Sequence, residues 1–153
     1  MNEVIIGREI NDWKVEPSKH YTEDDLIHAY LQGKEEGMNI EKKIMFEKFQ
    51  QNLKIATSEG VSLFNILGEE SINCKLCFLK AENPLSFEIV YLIDTKDYTE
   101  ENLNKIYSTS RKKKKEINKE TFYLNFSFIP DNGNLNEKRL ITDGYVLQYS
   151  RKD

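Results

Sequence analysis

An α+β domain is what the sequence predicts, on three observations. Apolar residues recur at helical spacing before residue 70 and alternate after it, so the repeat changes from about 3.6 to 2 partway along the chain. The pattern Tyr-Thr-Glu-acid-polar-Leu, a helix-start signal, occurs at Tyr21 and again at Tyr98. A length of 153 residues with 39% hydrophobic and 31% charged content suits one core, and it excludes collagen-like, disulfide-rich and disordered chains. The expected arrangement is an N-terminal arm or hairpin over residues 1–16 and a single α+β domain over 17–153. In that domain two helices precede a ββαββ unit, which forms an antiparallel sheet with helices on one face.

The arm carries two β-favouring pieces, Val4-Ile5-Ile6 and Ile10 to Val15 around Trp13, separated by Gly7-Arg8-Glu9. Pro17 then breaks the chain. Thr22 is placed to accept hydrogen bonds from free N–H groups, and Glu23, Asp24 and Asp25 oppose the positive end of a helix starting at Glu23. Its apolar stripe is Leu26, Ile27, Ala29 and Tyr30, and Gly33 with Gly37 limits its length. A second helix runs from Ile40 to about Ala56, because Met45, Phe49, Leu53 and Ala56 recur at helical spacing with Ile44 and Phe46 beside them. Thr57-Ser58-Glu59-Gly60 is expected to end it, and Val61 to Leu67, closed by Gly68, fits either a helical turn or a strand.

Beyond this point Ile72, Cys74, Leu76 and Phe78 alternate with Asn73, Lys75 and Cys77, and Leu85, Phe87, Ile89, Tyr91 and Ile93 form a second alternating set. A hairpin turning at Ala81 to Pro84 joins them. Thr99 caps a third helix whose buried stripe is Leu103, Ile106 and Tyr107, fading into a lysine run. Thr121 to Ile129 reads as a strand with Phe122, Leu124, Phe126 and Phe128 on one face. Pro130 to Asn134 reads as a turn, the stretch to Asp143-Gly144 as a long exposed connection, and Tyr145 to Ser150 as the last strand. The start signal repeats at Tyr21 and Tyr98 through shared capping chemistry and not duplication, since the residues that follow diverge.

The formal charge of −4 argues against a protein that wraps nucleic acid, yet it is unevenly placed. Residues 1–70 hold 14 acids against 8 bases, whereas 71–153 hold 12 against 14, and much of the shift lies in Arg111, Lys112, Lys113, Lys114 and Lys115. Such a run could bind phosphates, or it could offset the negative end of a helix at ~0.3 to 1 kcal/mol per cation. Glu116 and Glu120 dilute it and no aromatic residue lies within it, although Tyr107 stands four residues before Arg111. The dipole role is therefore the expectation, and nucleic acid bound through Arg111 to Lys115 is the alternative.

Cys74 and Cys77 have C-x-x-C spacing but lack a second ligand pair, since His20 and His28 lie far upstream. On a regular strand, positions three apart face opposite sides, so the two are read as ordinary buried thiols. Neither histidine has a partner for acid–base work in sequence, and Gly33 and Gly37 lack the lysine and hydroxyl sequel of a phosphate loop. No catalytic residue, metal or cofactor is assigned. Tyr91, Tyr123, Tyr145 and Tyr149 fit a ligand groove, a subunit contact or plain sheet positions. No apolar run approaches the ~18 to 20 residues that span a bilayer. The opening residues also lack the form of a signal peptide, so a cytoplasmic protein with no membrane contact is expected.

The segment Tyr21 to Gly37, YTEDDLIHAYLQGKEEG, resembles a helix-starting stretch found in small proteins of tailed phages and prophages of Bacteroides-like bacteria. The resemblance implies origin and transfers no site residue; 18 lysines against 4 arginines, with 14 asparagines and 15 isoleucines, agree with an AT-rich source. The function expected is a non-enzymatic phage or mobile-element protein that works by binding a protein partner or itself, such as a small virion component. Ile5, Ile6, Ile10 and Trp13 of the arm are the candidate contacts. A small enzyme whose residues converge only in three dimensions is the third class.

Overall fold

The computed structural model describes residues 13–16, 19–20, 40–133 and 136–150. The helix expected at Glu23, with Thr22 and His28, lies outside them. Phe49, Leu53, Ala56, Gly60, Phe64 and Leu67 return to one side every three or four residues, and they bury one face of α1 (Ile40–Glu69). The helix therefore does not stop at Thr57 to Gly60, and Val61 to Leu67 belong to it. Tertiary packing overrides the local stop signal. A Cβ on Gly60 would lie 2.6 Å from Ile89 Cδ1 and 3.4 Å from Trp13 Cζ2, so the missing side chain lets the sheet approach the helix. The Gly60 carbonyl also accepts a 2.8 Å hydrogen bond from the Tyr91 hydroxyl, and the Thr57 hydroxyl donates back to the Leu53 carbonyl.

Short strands β1 (Lys14–Glu16) and β2 (Lys19–His20) precede α1. After it, β3 (Cys74–Asn83) and β4 (Ser86–Asp94) form the expected hairpin, turning two residues later than expected at Pro84-Leu85, where the Leu85 N–H donates to Asn83 Oδ1. A bulge opposite Ile93 and Leu92 inserts Lys75 and shifts the alternation, so Cys74 and Cys77 join the same core cluster after all. A single turn over Thr95–Asp97 leads to α2 (Glu100–Ile117), whose cap is Thr99 as expected, its hydroxyl accepting from the Asn102 N–H at 3.2 Å. Strand β5 (Tyr123–Asp131), with Phe122 just before it, shows the expected burial of Phe122, Leu124, Phe126 and Phe128. It also absorbs Pro130 and Asp131, which pair with Ile93 and Asp94 instead of forming a turn. The connection that follows contains α3 (Glu137–Thr142), capped by Asn136, before β6 (Leu147–Ser150).

The sheet has the order β2-β1-β6-β3-β4-β5. It is mixed, not antiparallel: β4 and β5 run parallel from Ser86↔Tyr123 to Asp94↔Asp131, because α2 carries the chain back across the sheet before β5 begins. Both long helices cover one face, where Tyr91 stacks on Phe128 at 5.4 Å and the Asn52 amide donates to the carbonyls of Pro84 and Thr121. On the other face Phe78, Val90 and Leu92 form a smaller cluster with Leu140 of α3 and with Tyr145, which sits apart from Leu147 and Tyr149. Trp13 is fully buried against Tyr149 in the main core, and its indole N–H finds no hydrogen-bond partner among the described residues.

Strand β5 forms one rim of the sheet. The Tyr123 N–H points inward to the Leu85 carbonyl, so the even-numbered residues aim their backbone groups outward. The Asn118 side chain bonds both the N–H and the carbonyl of Leu124, the Tyr98 hydroxyl donates to the Phe128 carbonyl, and Pro130 has no N–H.

Candidate interaction surfaces

Five large apolar side chains are exposed among the described residues, and they fall into two groups: Ile40, Ile44 and Met45 on α1, and Tyr107 and Tyr123 beside the basic run. The first group belongs to a helix end that runs past the core. Ile40 to Met45 all stay exposed, an overhang of about 9 Å at 1.5 Å per residue, before Phe46 packs against the core. Ile40 and Ile44, 76% and 57% exposed, share the face opposite Phe49, Leu53 and Ala56. Glu41 and Lys48 flank that stripe on one side, and Lys43 and Glu47 flank it on the other.

The basic run occupies the last two turns of α2, as the dipole role requires, but its five members do different things. Lys113 reaches α1 and pairs with Glu59 at 2.8 Å. Lys114 passes over the rim of β5, donating to Asn125 Oδ1 at 2.9 Å with its ammonium 5.9 Å from the centre of the Tyr123 ring. Arg111, Lys112 and Lys115 are exposed. Tyr107, one turn before Arg111, sets its ring edge-on to Phe128 at 5.5 Å.

Tyr123 and Asn125 lie on the sheet face away from the long helices, since Leu124 and Phe126 between them are buried on the helical side. Lys80, Glu88 and Asn125 are in register across β3, β4 and β5 on that face. Glu88 accepts a 2.9 Å hydrogen bond from the Ser127 hydroxyl and lies beside Tyr145, whose own hydroxyl is pushed up to about 12 by burial and by Glu88. Lys80 stands 5.4 Å over the Tyr145 ring. A polar platform results, with a lysine seated on a tyrosine at each end and Glu88, Asn125 and Ser127 between. Comparison with protein-family models, curated proteins and solved structures gives no match.

Two concavities lie elsewhere. A groove of about 460 Å³ between α1 and α2 is lined by Ile66, Ser108, Thr109, Lys112, Lys113 and Glu116. A cavity of about 100 Å³ at the ends of β4 and β5 holds Asp94 and Asp131 beside Lys75. Both carboxylates serve turns: Asp94 accepts from the Lys96 N–H and the Asn73 amide, and Asp131 accepts from the Gly133 N–H. The Lys96 hydrogen bond, helped by Asn73 and nearby lysines against some desolvation, holds the Asp94 carboxyl below its ordinary value. Among the described residues no group of three or more His, Cys, Asp or Glu side chains could hold a metal ion, and no helix is long and apolar enough to cross a membrane. Burial, with Cys74 nearby, pushes the Cys77 thiol up, which keeps it protonated and a poor nucleophile.

Of the arm residues singled out from sequence, Ile5, Ile6 and Ile10 lie outside the described residues, and Trp13 packs within the chain's own core. Sequence reasoning found the basic run and Tyr107 beside it, and missed the approach of Tyr123. Tyr107 and Arg111 were visible as an i, i+4 pair, but nothing local brings Tyr123 to Lys114. That contact exists only because the crossover lays α2 beside β5.

Proposed function

We propose that this protein acts by protein–protein contact and that the overhanging end of α1 is a docking element for a second copy of the chain. The supporting observation is the arrangement of charge about Ile44. When two such ends pair antiparallel about a two-fold axis near residues 44 and 45, Glu41 meets Lys48 of the other copy and Lys43 meets Glu47, while Ile44 packs on its counterpart. Both flanks are thus self-complementary around one centre. The arm residues Ile5, Ile6 and Ile10 belong to the same proposal as a further contact. So does a phage or mobile-element setting, with synthesis in the cytoplasm and a place in the virion, which rests on the Tyr21 to Gly37 segment; peptide mapping of purified particles tests it.

Light scattering over a concentration series tests the docking itself. The expected result is a dimer that Ile40→Asp with Ile44→Asp converts to monomer, that Glu41→Lys weakens, and that Glu41→Lys combined with Lys48→Glu restores. A monomer at every concentration, or a dimer indifferent to all these changes, sinks the proposal.

A further inference from the structure

We infer that the rim of β5 and the polar sheet surface beside it form a binding surface for single-stranded nucleic acid, with Tyr123 as a stacking platform and Arg111, Lys114 and Lys115 as phosphate contacts. Such ligands need three things together: aromatic faces reachable from solvent, cations spaced along a backbone path, and polar groups that can meet base edges. Tyr123 is 46% exposed, and Lys114 already sits over one side of its ring, leaving a cation beside any base stacked on the other. Arg111 and Lys115 continue the cationic path along α2, with Tyr107 a turn beyond Arg111. Asn125 and Ser127 lie next to Tyr123 on the same face, where the Asn125 NH2 and the Ser127 hydroxyl oxygen can meet base edges, and Tyr145 with Lys80, itself paired with Glu82 at 3.3 Å, repeats the ring-and-cation pair across the sheet.

Duplex fits this surface poorly. Its bases are stacked inside and cannot reach a single tyrosine ring, so it meets only the cations, of which Lys113 is already paired with Glu59. The chain's net charge of −4 provides no broader basic field to hold a duplex. An acidic peptide fits the cations but has no use for Tyr123. The ligand chemistry that uses rings, cations and amides at once is an unpaired strand.

The test is fluorescence anisotropy with labelled 12-nucleotide oligo-rU, oligo-dT and a duplex of equal length, read from about 50 to 200 mM salt. Expected are tighter binding of one or both single strands than of duplex, a loss of about tenfold in Tyr123→Ala, and retention in Tyr123→Phe, whose ring still stacks. Arg111→Gln and Lys115→Gln should each make the dependence of log affinity on log salt shallower by about 0.7. Preference between oligo-rU and oligo-dT separates an RNA from a DNA ligand. Circular dichroism of each variant checks that it is folded, and Tyr123→Phe keeps the test decisive if Tyr123→Ala is not. Absence of binding at low salt, duplex bound as tightly as single strand, equal displacement by polyglutamate, or indifference to Tyr123→Ala in a folded protein overturns the inference. The residues varied here, Tyr123, Arg111 and Lys115, are not those varied in the docking test, so failure of one reading leaves the other standing.

Discussion

Replacing Gly60 by alanine sets two effects of opposite sign against each other, and the structure decides between them. At an exposed helix position the change would stabilise by about 1 kcal/mol, since alanine is the better helix former. At Gly60 the new methyl would stand 2.6 Å from Ile89 Cδ1, about 1 Å inside the distance at which two carbons attract. Trp13 blocks the way at 3.4 Å, and Ile89 is itself fully buried, so neither side chain has open space to enter. Overpacking of this kind costs about 1 to 3 kcal/mol, which leaves Gly60→Ala destabilised by about 1 kcal/mol after the helical gain. The decisive comparison is with Ile89→Val, which removes Cδ1 and by itself costs about 0.5 to 1.5 kcal/mol. In that background Gly60→Ala should become stabilising by about 1 kcal/mol, a coupling of about 2 kcal/mol between the two sites. Urea unfolding of the four proteins, fitted with a common slope, measures it. A Gly60→Ala protein more stable than the wild type, or a coupling below about 0.5 kcal/mol, would show that the close approach of sheet and helix is not what requires glycine.

Three further outcomes are expected. Thr99→Ala should lower stability by about 1 kcal/mol, because its hydroxyl satisfies the Asn102 N–H at the start of α2; an unchanged urea midpoint removes that cap. Asn118→Ala should cost about 1 to 2 kcal/mol and also make the protein assemble irreversibly on mild heating, since it exposes both backbone groups of Leu124 on the rim of β5; light scattering during a thermal ramp reads the second effect. Asp94→Asn should lose stability at neutral pH and show a shallower decline below about pH 4. The folded carboxyl lies below its ordinary 3.8, so its contribution is present above that value and disappears as pH falls through the lower one; parallel acid limbs for both proteins would refute the assignment.

How legible the chain was depended on whether the cause was local. Thr99 caps its helix and Phe122 to Phe128 alternate in burial because a cap and a pleat are set by near neighbours, which the sequence displays directly. Gly60 misled for the opposite reason: its small size answers to Ile89 and Trp13, which are distant in sequence, and not to a helix end. The two cysteines share a face through one inserted residue, Lys75, that no alternation rule foresees. Parallel pairing of β4 with β5 follows from the helix between them, which returns the chain to the end where β4 began, whereas alternation alone carries no strand direction. The platform around Tyr123 was the least legible part. Its members come from β3, β4, β5, α2 and the approach to β6, and only the sheet register assembles them.

The chain's one tryptophan is Trp13, and its burial gives the molecule an internal optical gauge. An indole buried among apolar side chains emits at short wavelength, and contact with water moves the emission to the red. The ring stands where the short β1 meets α1 and β6, so its colour reports whether the N-terminal strand is seated, whereas helical ellipticity reports mainly the 30 residues of α1. Strands of this length leave a sheet more readily than a long helix unwinds. A range of denaturant in which the colour changes before the ellipticity would therefore resolve undocking of the first strands as an event of its own, and coincident changes would show that strand and body melt as one unit.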